Sequence, residues 1–162
     1  MRERAKSPGV RQRRSPGAVL RIPMGGWHTY ALMLESVDMA FFDARSTSEL
    51  PVDQIVARPI LFRVAVMKRA YCTGRWRKVG SVSVPEPLRG GVPKFMEDAM
   101  NGRLSISADG GMTSRPATFE ECRDLERLAV WDPEHVEDRL RDHYAGVPNK
   151  WVESLRPGGG HA

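Results

Sequence analysis

No apolar run in this 162-residue sequence approaches the roughly 18 residues that a membrane-spanning helix needs: YALML at 30–34 and ILF at 60–62 are typical of the longest. A transmembrane helix is excluded. Cysteine is equally scarce, and Cys72 and Cys122 form neither a disulfide framework nor a zinc-ligand spacing. The sequence also lacks a phosphate-cradling GxxxxGK[ST] segment, a GxSxG elbow, an HExxH pair and any internal repeat. The start, MRERAKSPGVRQRRSPG, is charged like the first part of a signal peptide, but no apolar segment follows it. These absences lead us to expect a cytoplasmic protein with two reduced thiols, no membrane contact, no cofactor and no metal.

What is present begins with charge. Residues 1–16 hold six Arg or Lys against Glu3 alone, so this segment carries the whole net charge of +5. Its polar, Pro/Gly/Ser-punctuated composition predicts a disordered arm, dispensable for folding, whose removal at Gly17 leaves the thermal midpoint unchanged. The rest is neutral but uneven: residues 58–103 contain ten basic and three acidic side chains, and residues 104–162 contain seven and eleven. A basic middle thus precedes an acidic end.

Strand signals fill the middle of the chain. GAVLRIP (17–23), HTYALML (28–34) and MAFFD (39–43) are strand-length runs separated by turn residues, the pattern of an antiparallel meander. RPILFRVAVM (58–67) and GRWRKVGSVSV (74–84) continue it, with RAYCTG as the turn between them and one short helix expected within 46–57, its length limited by Pro51. Residues 85–103 read as irregular, and RLSIS (103–107) as a last strand.

Cap chemistry then marks helices. Thr118 with Glu121 forms a capping-box pattern, followed by a stripe of Phe119, Cys122, Leu125 and Leu128. Asp132 precedes Pro133, Trp131 can staple onto Val136, Gly146 ends the helix, and Asn149 opens a short last one that Pro157 stops. The expected class is α+β: an N-terminal antiparallel β meander or partly closed barrel (strands within 17–107), then C-terminal helices packed on it (within 118–156). The expected organisation is a basic tail over 1–16, one domain over 17–157, and a flexible tail over 158–162.

The stretch AVWDPEHVEDRLRDHYAG (129–146) sets His135 among aspartates and so raises metal or acid/base chemistry. At about 100° per residue, Val136, Leu140 and Tyr144 form the buried stripe, whereas His135, Asp138 and Asp142 fall on the opposite, solvent side. A solvated face is the reading, supported by a Glu137–Arg141 pair, because catalytic groups need partial desolvation. His143 is expected at the core edge. A Cys72–His28 hydrolase would need both residues near a third orienting group, and a plain turn cysteine is the favoured reading of Cys72. Trp76, Trp131 and Trp151 read as packing residues. Trp27, beside two glycines, is the candidate exposed hot spot.

GAVLRIPMGGWHTYALML resembles the N-terminal hairpin of the Immunity protein 26 family of bacterial polymorphic toxin systems, at Gly17, Ile22, Pro23, Gly25, Gly26 and Tyr30. The next two strand runs are similar to that family's following pair at Pro59, Leu61, Phe62, Val64, Gly74, Trp76, Val79 and Gly80, so the likeness spans about 17–107. The resemblance implies a non-enzymatic protein that binds one cognate toxin domain and neutralises it. Candidate partner-binding residues are Trp27, His28, Lys68, Arg69, Arg75, Arg77 and Lys78, with charge steering the encounter. The alternative is a nucleic-acid-binding β-barrel module that uses the basic 58–103 segment, with Trp76 and Tyr71 stacking on bases. Nucleic acid is the less favoured partner.

Overall fold

The computed structural model describes residues 11–158; the outer tail (1–10) and residues 159–162 lie outside the described residues. β1 (Ala18–Pro23), β2 (His28–Met33), β3 (Asp38–Phe42) and β4 (Ile60–Val66) form the antiparallel meander. β5 (Arg77–Ser81) returns to the outer side of β1, and the short β9 (Val130–Trp131) adds parallel to β4, giving the order β5-β1-β2-β3-β4-β9. The sheet is open, not closed into a barrel. Its class is α+β, as the pattern of elements predicts.

Both faces of this sheet are covered, which explains why its strands read as nearly continuous apolar runs. β3 is buried at every position. Leu20, Ile22, Met33, Phe41, Phe62 and Trp76 pack on one side with Val136 and Leu140. Val19, Tyr30, Leu32 and Phe42 pack on the other with Ile55 and Leu88. Gly25 and Gly26 take φ of 75° and 71°, the doubly left-handed backbone of a tight type I′ hairpin turn. Gly17 is required differently: at φ 90°, a Cβ there would lie 2.1 Å from the Val82 carbonyl oxygen.

Residues 85–103 are more ordered than expected. A 3₁₀ turn at Glu86–Leu88 leads to β6 (Lys94–Glu97), which pairs with β7 (Leu104–Ser107), itself paired with β8 (Arg115–Pro116). β6 is held on its other side when Phe95 N–H donates to Glu126 O and Leu128 N–H donates to Phe95 O. These partners are distant in sequence, so local composition could not reveal the strand. Lys94 ties this sheet to the larger one: its buried Nζ donates to Arg63 O at 2.5 Å and lies 3.6 Å from Asp38.

Most helices are short, whereas the one between Asp132 and Gly146 fills the span that its caps mark. α1 (Val52–Val56) follows Pro51, and RAYCTG contains one helical turn, α2 (Arg69–Cys72). The Thr118–Glu121 capping box forms, but α3 (Phe119–Cys122) stops after one turn, leaving Phe119 49% exposed and the expected stripe broken. α4 (Pro133–Ala145) ends at Gly146 with φ 68°. Asn149 caps α5 (Lys150–Ser154) by accepting from the N–H groups of Trp151 and Val152.

Residues 11–16, assigned by composition to the arm, contact the sheet. Gln12 Nε2 donates to Tyr71 O and Trp76 O, while its Oε1 accepts from Lys78 N–H. Arg14 donates to the carbonyls of Leu34, Ser36 and Asp38. An amide and a guanidinium can satisfy exposed main-chain groups without burying apolar surface, which is why hydrophobicity gave no sign of this docking.

Candidate functional site

Between the strands and the C-terminal helices, the basic middle meets the acidic end. Arg69 donates to Glu134 (2.7 and 2.5 Å) and to Asp132 (2.8 Å). Arg75 forms a fork with Glu137 at 2.9 and 2.7 Å, and Trp76 Nε1 donates to the same carboxylate at 2.9 Å. Hydrogen bonding from Arg69 draws the Glu134 carboxyl down to about 2, and the same contacts raise the Arg69 guanidinium. Glu137 raises Arg75 likewise. Asp132 thus serves Arg69, without the side-chain cap expected of it. Glu137 pairs with Arg75, and Arg141 turns to Asp138 at 3.0 Å instead of to Glu137.

The histidine–aspartate face of α4 is only half open to solvent, where the helical wheel implied a fully solvated one. α5 folds back over it: His135 stacks on Trp151 with centroids 3.5 Å apart and planes at 18°. Trp151 Nε1 donates to Asp138 Oδ2 at 3.1 Å, and Asn149 Nδ2 donates to Asp142 Oδ2 at 2.9 Å. The three side chains therefore hold a helix in place. Among the described residues, no group of three His, Cys, Asp or Glu side chains could hold a metal ion. His143, expected at the core edge, is exposed against Tyr144.

The seven candidate binding residues separate into distinct places. Arg69 and Arg75 are committed to α4, whereas Lys68, Arg77 and Lys78 are exposed and form no ion pair among the described residues. Trp27 and His28 sit at the hairpin end of the sheet, both half-buried. His28 Nε2 is fixed by Tyr30 Oη at 2.9 Å and Ser48 O at 3.0 Å, and Cys72 lies on α2. Trp76 is fully buried, so it offers no face for base stacking.

Sequence reasoning missed the neighbours of Trp27. The Arg45 guanidinium lies 4.4 Å from the Trp27 ring centroid and 5.6 Å from that of Tyr144, and the two rings meet edge to face at 5.3 Å. Tyr144 donates to Asp43 Oδ1 at 3.0 Å, and burial raises its hydroxyl above the ordinary value. Nothing local marks this cluster, since Tyr144 lies 101 residues from Asp43. No helix among the described residues is long and apolar enough to cross a membrane.

The family model for Immunity protein 26 matches residues 15–105, more than half of the chain and all of β1 through β6. No curated protein and no solved structure matches it.

Proposed function

We propose that this chain, which belongs to the Immunity protein 26 family, binds a cognate polymorphic toxin domain in the bacterial cytoplasm and neutralises it by occupancy, without catalysis of its own. Family membership is the observation that carries the reading. The surface chemistry supports it: the histidine–carboxylate set is engaged in helix docking, and Lys68, Arg77 and Lys78, which form no ion pair among the described residues, suit recognition of an acidic protein.

The test uses the full chain, co-expressed with the toxin domain encoded beside its gene and separately titrated with mixed DNA and RNA. We expect rescue of the toxin-expressing cell, a saturable one-to-one complex, and oligonucleotide binding no tighter than the non-specific range of roughly 10⁻⁴ to 10⁻⁶ M. Tighter oligonucleotide binding at physiological salt, with no protection, would replace this reading by the nucleic-acid one.

A further inference from the structure

The hairpin end of the sheet has the composition of a binding hot spot, already assembled. Trp, Tyr and Arg dominate such spots. Here Arg45 lies over Trp27 and Tyr144, and Tyr144 is fixed by Asp43, so little side-chain freedom remains to be lost on binding. Beside Trp27 opens a cleft of about 300 Å³ lined by Arg21, Gly25, Gly26 and His28. Neither glycine would place a Cβ within 4 Å of another atom, so the turn leaves the cleft unobstructed.

Charge identifies what this end receives. Arg21 on β1 stands directly opposite Arg77 on β5 in the ladder. Two cations facing each other across neighbouring strands repel and cost stability. Arg77 has no ion pair among the described residues, and Arg21 has only a 3.4 Å approach to Glu49, whose side chain is 74% exposed. The pair therefore keeps a net positive charge, with Arg21 lining the cleft beside Trp27 and Arg77 next to it on the neighbouring strand.

We infer that this hairpin end is the toxin-facing surface. Trp27, Arg45 and Tyr144 form its anchor, and the cleft lined by Arg21, with Arg77 opposite Arg21 in the ladder, takes an aspartate or glutamate from an acidic protrusion of the partner protein. A protein fits better than a nucleic acid, because Arg45 covers a face of Trp27 that a base would need. The inference rests on the toxin-binding reading.

The experiment measures affinity and association rate between the full chain and the toxin domain encoded beside its gene. It compares wild type with Trp27→Ala, Arg45→Ala and Arg77→Glu, using Arg103→Glu in the loop before β7 as a control. Loss of Trp27 or Arg45 is expected to weaken binding roughly thirty-fold or more. Arg77→Glu is expected to slow association about tenfold while raising the thermal midpoint, because a carboxylate then faces Arg21. A purely structural role would lower midpoint and affinity together. If wild type protects and all three variants bind as it does, this surface is wrong and toxin binding stands. If wild type neither binds nor protects, the toxin reading falls and this inference with it. If the variants instead lose tight oligonucleotide binding, the surface belongs to nucleic acid and the inference is overturned.

Discussion

The imidazole of His135 lies flat on the indole of Trp151, 3.5 Å between centroids, while the indole N–H reaches Asp138 on the next turn of α4. A histidine and two aspartates at helical spacing thus act as a cradle for α5. Their arrangement serves packing and hydrogen bonding, with the aromatic face and the N–H of one tryptophan each given a partner.

Replacing His135, Asp138 and Asp142 together by alanine should release α5 and cost about 2–3 kcal/mol, since Trp151 Nε1 and Asn149 Nδ2 lose their acceptors. Trp151 should become more exposed, which a red-shifted emission spectrum and a lower urea midpoint would report. An unchanged midpoint would mean that the stack contributes nothing.

Glu137 anchors α4 to the start of β5 through Arg75 and the buried indole of Trp76. Glu137→Ala leaves that indole N–H without a partner and should cost about 1–3 kcal/mol in urea unfolding. Glu137→Gln keeps an acceptor and should cost less. Equal losses for the two would assign the effect to charge alone.

The elements legible in the sequence are those fixed by neighbours along the chain. The Gly25–Gly26 turn, the Thr118–Glu121 box, Gly146 and the Asn149 cap all involve groups within a few residues of one another. What stayed hidden depends on distant partners. Arg75 meets Glu137 62 residues away, β6 is paired along one side by residues 126–128, and the solvent face inferred for His135 holds only until a second helix folds onto it. The same distinction divides the candidate site: Trp27 was marked by its glycines, whereas Arg45 and Tyr144 became its partners only through the fold.

Acid should weaken the contact between α2 and α4. Hydrogen bonding from Arg69 holds the Glu134 carboxyl at about 2, below its ordinary 4.5. The native state therefore prefers the ionised form, and the unfolded chain takes up the proton first on acidification. This contribution is complete above 4.5 and is lost as pH falls through about 2. Calorimetry across that interval should show a falling thermal midpoint, with a shallower fall in Glu134→Gln.

Lys94 is a buried cation whose ammonium is disfavoured by desolvation, which lowers its pKa despite Asp38 nearby. Removing one member of such a pair strands the other, so Lys94→Ala should cost about 3–5 kcal/mol. The double variant Lys94→Ala with Asp38→Asn should lose less than the sum of the single losses, because the carboxylate no longer needs a counter-charge. Strict additivity would show that the two groups do not interact.

Gln12 and Arg14 change what truncation should do. Gln12 satisfies the carbonyls of Tyr71 and Trp76 and the N–H of Lys78, and Arg14 satisfies three carbonyls around the turn between β2 and β3. Hydrogen bonds from a charged donor are worth about 1.5–3 kcal/mol and neutral ones about 0.5–1.5 kcal/mol, so cutting at Gly17 should measurably lower the thermal midpoint. The chain-entropy cost of ordering a polar segment opposes these gains, which keeps the expected loss to about 1–3 kcal/mol instead of the sum of every bond. Removing residues 1–10 alone should leave the midpoint unchanged, whereas Arg14→Ala in the full chain should reproduce most of the loss. If cutting at Gly17 and cutting at Arg11 give the same midpoint, the two side chains satisfy groups that water serves equally well.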